Sequence, residues 1–211
     1  MVRERLASER PGDAVVGEEY GVRGDAERCW VVDPIDGTKN FVRGAPVWAT
    51  LLALRSGADT VVGVVSAPAL GRRWWAARGN GAYVNGAPIT VSGVRRLADA
   101  VLSYTDWLDW RRRGLGDGFD ALARSCWGRR GWSDFWGHML VAEGVADVMA
   151  EPELALWDLA AVQLVVEEAG GRCTDLGGVA RPDGGSGVST NGALHDEVLA
   201  LLRQERTRGA R

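Results

Sequence analysis

Residues 30–41 read WVVDPIDGTKNF, a stretch in which an apolar strand candidate, Trp30–Val32, runs directly into an acidic turn. Asp33 and Asp36 flank Pro34, whose ring fixes its own φ, so the turn is stiff and can hold both carboxylates toward one point. Two carboxylates that lie this close repel each other unless a cation lies between them. The stretch therefore predicts a cation site at the end of a strand.

The same stretch continues into a predicted phosphate site. Mg²⁺ prefers oxygen ligands and is commonly held by a few carboxylates together with a substrate phosphate, and the carbonyl of Ile35 is a further candidate ligand. Gly37 lets the backbone approach a ligand closely, and a helix is predicted to start at Thr38, offering free N–H groups to an anion. Taken alone, however, D-P-x-D is explained equally well by a capped surface turn.

The composition narrows the class of protein. The chain has 211 residues, of which 46% are hydrophobic, enough for one domain over 1–211 with a continuous core. No apolar run approaches the roughly 20 residues that span a bilayer, and the N-terminus lacks the apolar stretch of a signal peptide, so we expect a cytoplasmic protein without a membrane partner. The net charge is −3 with dispersed basic residues, so no nucleic-acid partner is expected.

Periodicity and turn residues predict the remaining elements. Helices are predicted at 2–9, 134–144, 158–169 and about 195–202, and strands at 14–16, 30–32, 48–54, 60–68, 72–78, 101–104, 146–150 and around 188. The strands from 48 to 78 are joined by Gly, Pro and Asp, which is typical of a meander rather than of strict βαβ alternation. In the clearest helix, Asp158 is predicted to cap the start and Gly170-Gly171 to end it.

The residue types favour metal-assisted attack by water over covalent catalysis. The two histidines, His138 and His195, do not lie beside a nucleophile motif, and the chain lacks the Ser-His-Asp order. The three cysteines are an odd number without a C-x-x-C pair, which argues against a disulfide framework and a thiolate zinc site. Considered singly, Glu18-Glu19 is typical of a solvated acidic pair and Trp157 of a core residue.

Three motifs nevertheless occur together and in order: G-E-E at 17–19, the stretch 30–41, and W-D followed by E-A-G-G within 157–171. In this combination the chain resembles the inositol monophosphatase superfamily over nearly its whole length. The resemblance implies an α/β (α+β) layered αβαβα sugar-phosphatase fold, usually as a homodimer. It also implies hydrolysis of a small-molecule phosphate monoester that depends on two or three Mg²⁺ ions.

The resemblance further implies a set of site residues. The metal ligands it implies are Glu18, Asp33, the Ile35 carbonyl, Asp36 and Asp158, with Asp33 shared between two ions. Gly37 and Thr38 match the phosphate-binding amides of the family. Glu18 and Thr38 would position the attacking water, and Asp158 would also contact the substrate.

Within the superfamily, the segments 38–44 (TKNFVRG) and 66–79 (SAPALGRRWWAARG) are similar to histidinol-phosphate phosphatases of actinobacteria, whereas inositol phosphatases commonly read TTNFVHG. Histidinol phosphate carries an ammonium group and an imidazole, for which Asp134 and Glu151 are predicted charge-assisted partners. Asp134 is explained equally well as a helix N-cap. The predicted substrate is L-histidinol phosphate, an intermediate of histidine biosynthesis. The alternatives are another small phosphate ester, such as inositol 1-phosphate, or a non-catalytic member of the family.

The segment before G-E-E is short for the family. Members usually carry about two helices there, whereas 17 residues precede Glu18 in this chain. The segment that family members have in addition includes an Asp that hydrogen-bonds the motif threonine, here Thr38, and acidic residues near a third metal. We therefore expect a fold without these N-terminal helices, an apolar patch open on a sheet, and weak or no phosphatase activity of the chain as it stands.

Overall fold

The structure, a computed structural model, describes residues 2–19, 21–24 and 26–203. The helices are α1 (Val2–Glu9), α2 (Thr38–Val42), α3 (Trp107–Arg112), α4 (Gly116–Ser125), α5 (Asp134–Ala142), α6 (Leu156–Glu168) and α7 (His195–Leu202), with 3-10 turns at Pro68–Leu70 and Leu97–Asp99. The strands are β1 (Ala14–Gly17), β2 (Gly21–Arg23), β3 (Arg28–Asp36), β4 (Ala49–Ser56), β5 (Asp59–Ala67), β6 (Arg72–Ala77), β7 (Ala82–Val84), β8 (Ala87–Ile89), β9 (Val101–Tyr104), β10 (Gly128–Arg130), β11 (Val148–Glu151), β12 (Arg172–Thr174) and β13 (Gly187–Thr190). Among the described helices, none combines the length and apolar character needed to cross a membrane.

The strands form two sheets. The larger sheet has the order β2-β1-β3-β4-β5-β6-β7-β8, and the smaller one has the order β10-β9-β11-β13-β12. From β3 to β8 each strand pairs antiparallel with the next, so the predicted meander is confirmed and extends further than expected. β1 instead lies parallel to β3, which places Glu18 and Glu19, directly after β1, next to the carboxyl end of β3.

Two apolar cores hold the sheets and helices in layers. Helices α5 and α6 pack between the two sheets, where their apolar side chains meet those of β4, β5 and β6. Helices α3, α4 and α7 cover the other face of the smaller sheet and form the second core. The described residues therefore show a layered α/β arrangement, as predicted, in which one helical layer lies between the sheets.

Helix α6 packs very closely against β5. A Cβ atom added to Gly63 of β5 would lie 2.7 Å from the carbonyl oxygen of Ala161, closer than real Cβ contacts allow. A residue without a side chain is therefore needed at this position. This close approach sets the distance between the larger sheet and α6, the helix that carries Asp158.

The outer face of the larger sheet carries a row of apolar side chains. Leu52, Val64, Trp75 and Tyr83 are neighbours in register across β4 to β7, and the rings of Trp75 and Tyr83 stack with centroids 4.3 Å apart. Trp75 is 37% exposed and the others are partly exposed. These side chains form a partly exposed apolar row on this face of the sheet.

The predicted start of the clearest helix is wrong. Helix α6 begins at Leu156, and Asp158 is its third residue rather than its N-cap. The Asp158 carboxylate still serves the helix start, because it accepts a hydrogen bond from the backbone N–H of Ala155 at 2.7 Å. The predicted end is confirmed, since Gly170 follows the last turn with a φ of 90°, which favours glycine.

Candidate active site

The DPID turn is a bulge at the end of β3. The register between β3 and β4 shifts between Asp33 and Asp36, so the residues between them leave the regular ladder. The backbone N–H of Ile35 donates to Asp33 Oδ1 at 2.9 Å, and the Thr50 hydroxyl donates to the carbonyl of Pro34 at 2.8 Å. These two bonds and the fixed φ of proline hold both aspartates in a defined orientation.

Three carboxylates meet at this bulge. One oxygen from each of Asp33, Asp36 and Asp158 lies within 4.8 Å of the other two. Two of them come from β3 and the third from the first turn of α6, so the packing of α6 on the sheet completes the cluster. Clustered carboxylate oxygens are the ligands that hard divalent cations prefer. The structure thus brings together three of the five predicted metal ligands.

The carboxylates of this cluster resist ionisation. Burial, followed by the charges of Asp158 and Glu18, raises the pKa of Asp33 from 3.8 to about 7. Burial and nearby carboxylates, Glu151 among them, raise the pKa of Asp158 to about 6, and burial raises that of Asp36 well above its usual value. A bound cation would offset both the burial and the mutual repulsion. The residues present therefore fit a divalent metal ion.

Glu18 and Ile35 lie at the border of the cluster. The Glu18 side chain is exposed just after β1, and its charge raises the pKa of both Asp33 and Asp158, so it lies near the cluster without belonging to the compact set. The carbonyl of Ile35 accepts a hydrogen bond from the Thr38 hydroxyl at 2.8 Å. A carbonyl oxygen has two lone pairs, so this bond leaves one for a metal.

The predicted anion-binding segment starts α2. Gly37 precedes this helix with a φ of 79°, and a Cβ atom there would lie 2.9 Å from the carbonyl oxygen of Val47, so both conformation and space favour glycine. The first N–H groups of a helix lack partners within the helix. The backbone N–H groups of Gly37 and Thr38 therefore lie next to the carboxylate cluster in a position suited to phosphate oxygens.

Asp134 is not a helix N-cap. It is the first residue of α5 and has a φ of 57°, unusual for a residue with a side chain, and its Oδ2 accepts hydrogen bonds from Asn40 Nδ2 at 3.1 Å and from the Ser133 hydroxyl at 2.7 Å. The amide N–H of Phe135 instead donates to Asp36 Oδ2 at 2.7 Å. Asp36 of β3 thus accepts a backbone N–H at the start of α5, and the Asp134 carboxylate instead contacts Asn40 of α2.

Glu151 lies at the end of β11 and is only 5% exposed. Its Oε1 accepts a hydrogen bond from the Thr105 hydroxyl, and its Oε2 lies 2.9 Å from His138 Nε2. Its charge raises the pKa of both Asp134 and Asp158, so it lies on the same side of the site as these residues. Both oxygens have partners within the protein, and direct contact of Glu151 with a substrate stays a prediction.

Two polar residues of this region, His138 and Thr105, have no role at the site that was predicted from the sequence. His138 follows Asp134 by four positions, so helical spacing places both on one face of α5, and this signal was available. Thr105 could not have been found in the same way, because its partner Glu151 is 46 positions away. Their contact arises from the parallel pairing of β9 with β11.

The fold and the site together indicate the class of protein to which the chain belongs. A cluster of buried carboxylates adjoins a glycine-initiated helix start, and both are carried by a mixed sheet packed on α6. Such an arrangement is suited to a divalent cation and an anion side by side.

The profile of the Inositol monophosphatase family matches residues 1–207, and the chain belongs to this family of metal-dependent phosphatases. The chain is similar to a Histidinol-phosphatase from Mycobacterium tuberculosis, with 55% identity over 95% of this chain and 80% of the relative. A Histidinol-phosphatase from Streptomyces coelicolor is 50% identical over 97% of this chain and 80% of its own length. Among solved structures, an inositol monophosphatase from Zymomonas mobilis matches with a TM-score of 0.88 and 30% identity, covering 96% of this chain and 79% of that one. The predicted family and layered fold are thus confirmed.

Proposed function

We propose that this chain is a Mg²⁺-dependent phosphomonoesterase that hydrolyses L-histidinol phosphate to L-histidinol and phosphate. The main support for this substrate is the position of Asp134. Its Oδ2 atom lies 3.1 Å from Nδ2 of Asn40, a residue of α2, and the start of α2 is suited to phosphate. A cationic alcohol gains a charge-assisted hydrogen bond from such a group, whereas an inositol ring would need partners for neutral hydroxyls. The similarity to two proteins named Histidinol-phosphatase supports the same choice.

The metal ions would be held by the acidic end of the site. Asp33, Asp36 and Asp158 would supply carboxylate oxygens, and Glu18 and the Ile35 carbonyl would complete the ligands of a first ion, with two or three Mg²⁺ ions in all. When bound, these ions supply the Lewis acidity that activates water and neutralises negative charge on the phosphoryl group.

The protein's own groups bind and orient the reactants. The N–H groups of Gly37 and Thr38 receive two phosphoryl oxygens as negative charge develops on them. The Thr38 hydroxyl donates to the Ile35 carbonyl, so its oxygen is free to accept a hydrogen bond from the attacking water. The exposed Glu18 carboxylate accepts a second hydrogen bond from that water and holds it in line with the leaving alkoxide.

Inositol 1-phosphate is the second candidate substrate, favoured by the close match to a solved inositol monophosphatase. Asp134 favours L-histidinol phosphate over inositol 1-phosphate, because a carboxylate beside the start of α2 forms a charge-assisted hydrogen bond with a cationic alcohol but not with a neutral one. We further propose that the chain acts as a homodimer, which sedimentation or light scattering of the purified protein tests directly.

The experiment measures phosphate release from L-histidinol phosphate, inositol 1-phosphate, a sugar bisphosphate and a nucleotide 3'-phosphate, each with Mg²⁺ and with EDTA. We expect Mg²⁺-dependent turnover that is weak, with a kcat/KM at least about tenfold higher for L-histidinol phosphate than for the other three esters. Asp33→Asn should be inactive, and the matched change Asp183→Asn at an exposed position should not. Preference for inositol 1-phosphate would overturn the substrate assignment. If none of the esters releases phosphate although Mg²⁺ binds, the non-catalytic alternative holds.

A further inference from the structure

A buried chain of hydrogen bonds runs behind Asp134. The backbone N–H of Asp134 donates to the Thr105 hydroxyl at 3.3 Å, and that hydroxyl donates to Glu151 Oε1. Glu151 Oε2 lies 2.9 Å from His138 Nε2, and His138 Nδ1 lies 2.7 Å from the hydroxyl of Ser189. His138 is 1% exposed, so this chain is closed to solvent on its inner side.

The backbone of α5 lies close enough to the smaller sheet for His138 to contact Glu151. A Cβ atom added to Gly137 would lie 2.4 Å from Met149 Sδ and 2.4 Å from the carbonyl oxygen of Trp132, so α5 approaches the smaller sheet as closely as a glycine permits. That approach brings the next residue, His138, into contact with Glu151 at the end of β11. Both polar ends of the imidazole are engaged, although an apolar side chain would fill an interior position of this kind at less desolvation cost.

The charge of Glu151 gives this contact a consequence for the site. A buried carboxylate is costly unless it is paired and hydrogen-bonded, and His138 is a basic group in direct contact with it. Glu151 also acts electrostatically on Asp134 and Asp158 by raising the pKa of both. A carboxylate has about four acceptor positions, so the bonds from Thr105 and His138 fix its orientation and still leave acceptors for a substrate.

We propose that His138 is a positioning residue for substrate selectivity, which holds Glu151 so that it and Asp134 form an acidic binding site for the cationic alcohol part of the substrate. This inference rests on the proposed function. His138 acts through Glu151 and does not touch the reacting atoms. Its effect is therefore on recognition of the alcohol, while binding of phosphate and metal depends on β3, α2 and α6.

The test compares His138→Leu, which removes the donor, with His138→Gln, which keeps an N–H group for Glu151. The substrates are L-histidinol phosphate and glycerol 2-phosphate, whose alcohol is neutral. For His138→Leu we expect kcat/KM for L-histidinol phosphate to fall by about tenfold or more, mainly through a higher KM, with glycerol 2-phosphate changed by less than about twofold. His138→Gln should stay within about threefold of wild type on both esters.

A double-mutant cycle with Glu151→Gln shows whether His138 acts through Glu151. In the Glu151→Gln background, His138→Leu should cause no further loss of selectivity, because the group that it positions is already neutral. This background also protects the test if His138→Leu alone fails to fold, since no unpaired buried charge remains. Calorimetric titration with L-histidinol in MgCl₂ gives a readout that needs no turnover, and the same ranking of variants is expected.

His195→Gln is the matched control. His195 is a buried histidine held by Thr174 at 2.9 Å and by Thr190 at 3.0 Å, and it shows the effect of changing a buried imidazole in another part of the fold. Equal losses of kcat/KM on both esters for His138→Leu, or an additive loss in the Glu151→Gln background, would overturn the positioning role of His138. The substrate assignment would then still stand. A wild-type protein that does not prefer L-histidinol phosphate to glycerol 2-phosphate would overturn the substrate assignment as well.

Discussion

Replacing Asp33 by Asn should separate the stability of the protein from its activity. Asp33 is 1% exposed, and its pKa is raised from 3.8 to about 7, mainly by burial and then by Asp158 and Glu18. The amide of asparagine has nearly the same shape, and its oxygen can still accept the hydrogen bond from Ile35 N–H that Asp33 Oδ1 accepts at 2.9 Å. The substitution therefore removes a buried ionisable group with little change in packing.

The magnitude and its pH window follow from the pKa. At low pH the carboxyl is protonated in both the folded and the unfolded chain, so it favours neither. As the pH rises from about 4 to about 7, the unfolded chain releases this proton first, and the folded state becomes less stable relative to it. A pKa difference from 3.8 to about 7 corresponds to about 4 kcal/mol at about 1.4 kcal/mol for each factor of ten, and coupling to Asp158 reduces the share that one substitution recovers.

The assay is urea unfolding of wild type and Asp33→Asn in EDTA at pH 4 and pH 8. We expect stabilities within about 1 kcal/mol of each other at pH 4, and an Asp33→Asn protein that is more stable by about 2 to 4 kcal/mol at pH 8. Added MgCl₂ should stabilise wild type and leave the variant unchanged, because only wild type keeps the full ligand set. A variant no more stable than wild type at pH 8 would refute the electrostatic argument. Turnover above a tenth of wild type would refute the role of Asp33 as a metal ligand.

Three further predictions concern other parts of the site. Asp134→Asn should lower kcat/KM for L-histidinol phosphate at least about tenfold more than for glycerol 2-phosphate, because only the first ester loses a charge-assisted bond; equal losses in parallel assays would mean that Asp134 only anchors Asn40. Thr38→Val should lower kcat about a hundredfold or more while Thr38→Ser keeps most of it, and similar kcat values for the two variants would exclude a role of the hydroxyl. Gly63→Ala should destabilise the fold by about 1 to 3 kcal/mol in urea unfolding, whereas Gly93→Ala, with no atom within 4 Å of the added Cβ, should not.

The sequence was most informative where function depends on residues close together in the chain. The turn that carries Asp33 and Asp36, the helix start at Thr38 and the glycine end of α6 all follow from local rules for proline, glycine and acidic residues. The meander from β4 to β6 follows likewise from short strands joined by turn residues. Short-range sterics decide such features, and the sequence displays them directly.

The N-cap prediction for Asp158 and the N-cap alternative for Asp134 were both wrong, because a carboxylate near a helix start has more than one possible partner. Asp158 was expected to be the N-cap, but α6 starts two residues earlier, with apolar residues that give no start signal. Asp134 was a candidate N-cap, but its carboxylate binds Asn40 instead. Asp158 instead serves the backbone N–H of Ala155 within the same helix start. For Asp134 a tertiary contact decided the partner, and local propensity does not contain that information.

The contact between Asp36 and Phe135 shows how the two ends of the site depend on each other. Asp36 belongs to the carboxylate cluster and also accepts the amide N–H of Phe135, 99 positions away, in the first turn of α5. Helix α5 in turn carries Asp134, proposed to bind the alcohol, and His138, proposed to hold Glu151 in place for the same purpose. Changes in the side chains of α5 can therefore alter the substrate while β3 and α6 keep the metal ligands, provided that the backbone bond to Asp36 is retained. Recognition of the alcohol and the metal chemistry are thus proposed to lie on separate elements, which are joined by the bond from Phe135 N–H to Asp36 and by the bond from Asn40 to Asp134.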